Sequence, residues 1–204
     1  LGNAAFSVDC HKINVSDAIN LPGPQFQLAP CHGGDARFCK DITRRQPVVG
    51  ANSVGALAVI NAGAVNTGGQ YNEGVDLTAN YATKLAGGPF SSRLAHTDLI
   101  KAWQKTTPDA ELDDSTGELD AARNRWTLGL DYKLGMFGVN ANASCIGKSW
   151  LDDQFMVPSG YPKEAGKIPA KTYTDLQLTY QLGEAQLYFG VNNLLNTAPP
   201  LIPT

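Results

Sequence analysis

The sequence predicts an all-β chain, an antiparallel up-and-down transmembrane β-barrel present as a partial barrel of about seven long strands. Three observations carry that expectation. Runs of ten or so residues alternate apolar and polar side chains at period two, the mark of a strand with one apolar face. The connections between these runs are short and long in turn, as in outer-membrane barrels, where short turns face the periplasm and long loops face outward. Charged residues make up 17% of the chain against 43% hydrophobic, below the roughly 25% charge of a soluble domain.

Residues 6–19 form the first run, with Val8 and Cys10 against Asp9 and His11. From Asn20 to Gln70 follows a long polar connection punctuated by Pro22, Pro24, Pro30 and Pro47 and by the pairs Gly33-Gly34 and Gly68-Gly69. Gly74 to Leu85 alternates cleanly, Val75, Leu77, Ala79 and Tyr81 opposing Asp76, Thr78, Asn80 and Lys84, until Gly87-Gly88-Pro89 reverses the chain. Phe90 to Trp103 is a strand by position, although Arg93, His96, Asp98 and Lys101 interrupt any single apolar face and suggest a bulge. Gln104 to Ala121 is an acidic loop.

Arg123 to Leu134 places Trp126, Leu128, Leu130, Tyr132 and Leu134 on one face and Arg125, Thr127, Asp131 and Lys133 on the other. Gly135 to Gly138 is a tight reversal into Val139 to Trp150, where Val139, Ala141, Ala143 and Cys145 oppose Asn140, Asn142 and Ser144. A proline-containing loop, Asp152 to Ala170, leads to the clearest hairpin. There Leu176, Leu178, Tyr180 and Leu182 share a face, Gly183-Glu184 turns, and Ala185, Leu187, Phe189 and Val191 continue it. Each arm has about the 9–11 residues that a tilted strand needs to cross a bilayer. A soluble β-sandwich gives the same alternation with its apolar face turned to a core, and stands as the alternative.

A net charge of −3 offers no basic footprint for nucleic acid. The most apolar run, Val54 to Val65, is broken by Gly55, Asn61 and Gly63 and falls short of the roughly 18 residues of a transmembrane helix. The chain opens at Leu1 with no signal peptide and stops at Pro203-Thr204, so it reads as part of a longer one. Of four cysteines, Cys31 and Cys39 lie close together in a polar, Gly-containing stretch. A bridge between them would close a small loop and imply an oxidising compartment, two unpaired loop thiols being the alternative. Cys10 and Cys145 fall on strand faces as buried or lipid-facing thiols.

No catalytic constellation emerges. The three histidines lack partners at metal-ligand spacing; His96-Thr-Asp98 is the nearest arrangement. Glu111 to Asp120 resembles a calcium loop in charge, but Thr116 stands where an EF-hand needs glycine, so it reads as a solvated acidic loop. Neither a Gly-x-Ser-x-Gly elbow nor a phosphate-binding loop occurs.

The segment Tyr188-Phe-Gly-Val-Asn-Asn-Leu-Leu-Asn-Thr-Ala-Pro-Pro200 resembles one near the C-terminus of TonB-dependent outer-membrane receptors. Asn72-Glu-Gly-Val-Asp-Leu77 resembles a strand opening of that family, and Cys31 and Cys39 followed by Ile42-Thr-Arg44 resemble its cysteine-bearing loop. Asp17-Ala-Ile19, Ile146-Gly147, and Pro169-Ala170 with Tyr173 and Asp175 fall in the family's order and spacing. Those receptors pair an N-terminal plug with a barrel of about 22 strands. The resemblance therefore implies that residues 1–204 are a C-terminal piece of the barrel domain, with the plug and the final strand outside it. Cys10 and Cys145 depart from the pattern, standing where relatives tend to carry aromatics.

The resemblance further implies a receptor and transporter of the bacterial outer membrane, not an enzyme, that takes up a scarce nutrient: siderophore-iron, cobalamin or a carbohydrate. Its partners would be membrane lipid, its own plug, the TonB complex and a small nutrient ligand, with no cofactor. A passive porin-like channel is the other reading. In the barrel, Leu128, Leu130, Tyr132, Leu176, Leu178, Tyr180, Leu187 and Phe189 meet lipid, while Asp76, Asp131, Gln177, Thr179 and Gln186 meet the lumen. Which residues contact the ligand is not legible.

Overall fold

Seven long strands form one antiparallel sheet in the computed structural model, which describes residues 2–21, 23–46, 55–107, 110–156 and 160–201. Leu1, Pro22, Pro47, Pro158, Pro203 and Thr204 lie outside the described residues. In chain order the elements are β1 (Asn3–Asn20), α1 (Gln25–His32), α2 (Ala36–Cys39), β2 (Ile42–Arg44), β3 (Leu57–Ile60), β4 (Val65–Leu85), β5 (Gly88–Lys105), β6 (Asn124–Leu134), β7 (Phe137–Ile146), β8 (Ser149–Trp150), α3 (Asp153–Met156), a 3₁₀ turn (Lys163–Gly166), β9 (Lys167–Ile168), β10 (Lys171–Leu182) and β11 (Ala185–Val191). The sheet runs β1-β4-β5-β6-β7-β10-β11, an up-and-down meander that does not close on itself. Two small pairs, β2-β3 and β8-β9, stand apart from it. Among the described residues no helix is long and apolar enough to cross a membrane.

Turn chemistry sets the register. Between β4 and β5 both Ala86 (φ 47°) and Gly87 (φ 87°) are left-handed, the type I′ pattern that matches strand twist. Leu134 pairs with Phe137 around Gly135-Met136, and Leu182 with Ala185 around Gly183-Glu184. In each of these turns only the glycine has positive φ, 60° and 59°, as a type II′ turn requires. From these turns the ladders run without a slip: β6 to β7 from Leu134↔Phe137 to Arg125↔Ile146, β7 to β10 from Phe137↔Tyr180 to Ile146↔Lys171, and β10 to β11 from Leu182↔Ala185 to Leu176↔Val191.

The bulge expected in β5 is absent from its ladder with β6, which is regular from Phe90↔Tyr132 to Asp98↔Asn124. Arg93 faces Gly129 on the polar side and His96 faces Trp126 on the apolar side. Farther on, Trp103 stacks flat on Tyr71 at 5.6 Å. Alternation puts Tyr71 on the side of Val75 and Leu77, so β5 slips once past Asp98.

Buried apolar side chains among the described residues are Leu99, Ala102, Ala122, Met156 and Ile168, none of them in β6, β7, β10 or β11. The apolar face of those strands is open: Leu178 is 45%, Leu187 57% and Phe189 67% exposed. A sandwich would cover that face with a second sheet, and the two remaining pairs, of two strands each, are too small to do so.

The chain divides into two compact units, residues Leu1–Ile13, Tyr71–Trp103 and Asp113–Thr204 in one and Asn14–Gln70 and Gln104–Leu112 in the other. Within the second, the connection expected to be irregular carries structure of its own. Cys31 in α1 and Cys39 at the end of α2 are joined by a disulfide, with Cα atoms 5.0 Å apart. Phe26 meets Phe38 edge-on at 5.6 Å, and Asp35 caps α2 by accepting from the Arg37 amide. The Arg37 guanidinium bonded to Asp35 holds that carboxyl below its usual range. Gln27, buried, donates to the Asn61 carbonyl at 2.9 Å and so fastens α1 to the end of the β2-β3 hairpin.

In the same unit β4 starts earlier than the Gly68-Gly69 pair suggested. Gly68 stays in the strand because Asn20 lies where its Cβ would sit, and Asn20 donates onward to the Lys105 carbonyl at 3.3 Å.

A disulfide closing a loop of this length stabilises by about 2–3 kcal/mol in the chain-entropy account. Replacing Cys31 and Cys39 with serine should therefore speed protease cleavage within residues 25–61 and leave β6 to β11 resistant. Equal cleavage of bridged and serine forms would contradict a stabilising role for the bridge.

Candidate functional site

Register fixes which side chains share a face, because residues opposite one another in a ladder point the same way. Across five strands Trp126, Leu128, Leu130 and Tyr132 of β6 align with His96, Leu94, Ser92 and Phe90 of β5 and with Cys145, Ala143, Ala141 and Val139 of β7. Ala141 and Val139 align in turn with Leu176 and Leu178, and these with Val191 and Phe189. Tyr180 sits between Phe137 and Leu187. An apolar hollow of about 480 Å³ among Phe6, Leu77, Ala79, Leu94, Trp126 and Leu128 carries the face on to β4 and β1. All eight residues expected to meet lipid lie on this one face.

Aromatic side chains mark its two ends. Near the short turns, Phe137 packs on Tyr180 with ring centres 4.9 Å apart, and the Tyr132 hydroxyl donates to the Leu85 carbonyl at 3.0 Å. At the other end lie the Tyr71-Trp103 stack and Lys12, whose ammonium is 5.8 Å from the Tyr71 ring centre.

The opposite face is hydrogen-bonded and polar. Asp131 faces Asn140, and Asn140 faces Gln177. Thr179 lies two residues along from Gln177, and Gln186 opposes Gln181 in the same row. Asn140 donates to Asp131 at 2.7 Å and Asn142 to Asn140 at 2.6 Å. A cleft of about 730 Å³ lined by Ser91, Asp131, Lys133, Asn140, Gln177 and Gln186 opens on this face.

Asp76 belongs to the same side through a second cluster. It accepts from Thr97 at 2.6 Å and lies 3.2 Å from His11 Nδ1, while His11 Nε2 is 2.8 Å from Asn72. A Cβ on Gly74 would strike the His11 ring, so glycine is needed there for the histidine to reach Asp76. All five residues expected in the lumen therefore share one face. His11 and Asn72 were missed, since their two strands are distant in sequence and no spacing links them.

Past β11 the chain is turned back along β10 by side chains that the sequence motifs contain. Asp175 accepts from the Asn193 amide at 2.8 Å, where Asn193 adopts φ 51°. The Asn193 side chain bonds both the amide and the carbonyl of Thr197, at 2.8 and 3.1 Å. Thr197 then donates to the Thr172 carbonyl at 2.9 Å.

The acidic loop departs from expectation. Thr116 accepts from the Ala102 amide and donates to its carbonyl, at 2.8 and 3.0 Å, which draws the loop onto β5. Glu118 is only 9% exposed and its Oε1 accepts from the Asp153 amide at 3.1 Å. Burial, with Asp152, Asp153 and Asp113 nearby, pushes its carboxyl up to about 7. Carboxylate oxygens of Glu118, Asp152 and Asp153 lie within 4.8 Å of one another, close enough to share a cation by distance alone. In a run with six acidic residues nothing in the sequence distinguishes the buried one.

A seven-strand meander with one apolar, aromatic-bounded face and one hydrogen-bonded polar face is the wall of an outer-membrane β-barrel. The family model described as TonB dependent receptor-like, beta-barrel matches residues 13–194. The chain belongs to that family, whose members are transporters of the bacterial outer membrane linked to TonB. No curated protein and no solved structure matches the chain.

The corner after β11 yields a direct test. Asp175→Ala leaves the Asn193 amide without its acceptor and should cost about 1–3 kcal/mol. Hydrogen exchange should show the loss at residues 192–197 while β6 and β7 keep their protection. Unchanged exchange at 192–197 would show that the carboxylate is not what holds the corner.

Proposed function

We propose that these seven strands are the C-terminal part of a receptor barrel that imports a scarce nutrient, such as a siderophore-iron complex, cobalamin or an oligosaccharide, with energy delivered through TonB. In this reading the apolar face meets lipid and the polar face meets the barrel's plug and the passing ligand. The two-residue turns lie in the periplasm, and the long connections lie outside the cell.

The observation that carries the reading is the spacing of aromatic side chains on the apolar face. Along β4, Tyr71 to Tyr81 covers about 33 Å of strand. A tilt of 35–45° reduces this to about 25 Å, the height of a barrel's apolar band. The polar face adds support through the amide and hydroxyl rows of Asn140, Asn142, Gln177, Thr179 and Gln186, which suit a wet or plugged interior.

Facing is tested residue by residue with a fluorophore placed at 177 or 178 of the membrane-embedded receptor and spin labels carried on lipid. Quenching is expected at 178 and absent at 177. Leu178→Arg should cost about 2–4 kcal/mol near mid-bilayer, whereas Gln177→Arg should cost little. Equal shielding of both positions from lipid would overturn the assignment. For transport, cells limited in turn for iron, cobalamin and a carbohydrate source should need the receptor for one of the three, and should lose that growth when TonB is deleted. Receptor-dependent growth that survives the deletion would identify a passive channel instead.

A further inference from the structure

We propose that Lys12 and Lys101, set around the Tyr71-Trp103 stack, hold the phosphate of a lipid headgroup at the outer edge of the apolar face. All four residues belong to the compact unit of Leu1–Ile13, Tyr71–Trp103 and Asp113–Thr204, and the strand cations of that unit are sorted by face. Alternation puts Lys84 of β4, Arg93 of β5, Arg125 and Lys133 of β6 and Lys171 of β10 on the polar side, and β7 and β11 carry no lysine or arginine. Two lysines depart from this sorting, and they do so at one place. Lys12 follows Phe6, Val8 and Cys10 on the apolar side of β1, and its ammonium lies 5.8 Å from the Tyr71 ring centre. Lys101 stands two residues before Trp103, whose ring is stacked on Tyr71 with planes 2° apart, and so shares its face. Both lysines are exposed.

A lysine on a lipid-facing side is tolerated where its stem lies along apolar surface and its head reaches a polar layer. Tyrosine and tryptophan rings mark that layer, and an ammonium there meets the anionic groups of the lipid. The neighbouring carboxylates have other partners. Glu73, two residues from Tyr71 on the same face, accepts from the Tyr71 hydroxyl. Asp114, which feels both Lys101 and Arg123, accepts from the Thr116 hydroxyl and amide. Among the described residues neither lysine forms an ion pair. Two ammonium groups, which can only donate, leave an anion as the complementary group. A lipid brings its phosphate from the side on which the apolar face already lies, so the seat is continuous with the lipid-facing surface. This placement rests on the proposed facing, with the apolar side toward lipid.

Native mass spectrometry of the full receptor, released from phosphatidylcholine nanodiscs doped with diphosphoryl lipid A or with its dephosphorylated form, reads the seat directly. The wild type should retain the diphosphoryl lipid about 25-fold more tightly than the dephosphorylated one, each lysine contributing about fivefold. Lys12→Gln and Lys101→Gln should each lose about fivefold and the double variant about 25-fold. Lys84→Gln, on the polar side, should retain lipid as the wild type does. Equal retention of the two lipids by the wild type overturns the proposal, as does retention unchanged in the double variant or lost equally in Lys84→Gln. Should the double variant not assemble, the two lipids compared on the wild type and on Lys101→Gln decide it. Displacement of the lipid by millimolar inorganic phosphate would identify a general anion site and equally overturn it. A fluorophore at position 178, with spin-labelled lipid in the same nanodiscs, reports the facing independently. Absence of quenching there sinks the barrel reading, whereas quenching without lysine-dependent retention sinks the headgroup seat alone.

Discussion

Every backbone N–H and C=O inside an apolar slab must find its partner within the protein, and in a barrel wall that partner is the neighbouring strand. The regular ladders between β5 and β11 satisfy this requirement for β6, β7 and β10, and the two faces follow from it. Side chains alternate at a strict period of two only while the register holds, so a single slip between Trp126 and Leu134 would exchange Leu128 and Leu130 with Thr127 and Asp131. Three two-residue turns, each with a glycine at positive φ, set the register at one end of every hairpin. Turn chemistry thus governs facing, a long-range property.

Facing in turn explains an absence of core that would be fatal in a soluble protein of this size. Leu187 and Phe189 stand more than half exposed on β11, and an edge strand of that kind in water is an aggregation site. On the proposed facing the same exposure is solvation by lipid, with no hydrophobic penalty. Buried apolar side chains occur instead late in β5, at Leu99 and Ala102, and in the connections beyond β5 and β7. Ala122, Met156 and Ile168 pack there as a small soluble domain would pack them, and the α1-α2 pair is tied by a disulfide, as expected where little apolar area can be buried. Two solvents act on one chain, and the rule for where apolar residues go changes between them.

That change of rule also decides what could be read in the sequence. The strands from Arg123 onward and the turns Gly135-Met136 and Gly183-Glu184 were legible, because period-two alternation and turn residues are local signals that lipid and lumen impose directly. The helices α1 and α2 were not, since eight and four residues with Pro30 inside the first give no helical periodicity. Gly68 read as loop because glycine usually ends a strand, yet here it makes room for Asn20 of another strand. The polar face was legible as a list of residues and illegible as a network: His11, Asp76 and Thr97 meet across three strands. Glu118 was read as solvated because burial of one carboxylate in an acidic run depends on where a distant segment, Trp150 to Asp153, is placed.

The family's sequence pattern has a physical content that follows from the same requirement. Where β11 ends, backbone groups of residues 193–197 leave the ladder and need other partners. Asp175 supplies one, Asn193 two, and Thr197 joins the segment to Thr172. Asn193 at φ 51° is the residue type that tolerates a left-handed backbone while its short side chain bonds locally. Positions that look like separate motifs, the Asp175 region and the Gly-Val-Asn-Asn run, are therefore one hydrogen-bonded corner divided between two strands. The corner therefore meets a local requirement, partners for the backbone groups that leave the ladder at the end of β11, with side chains drawn from both strands.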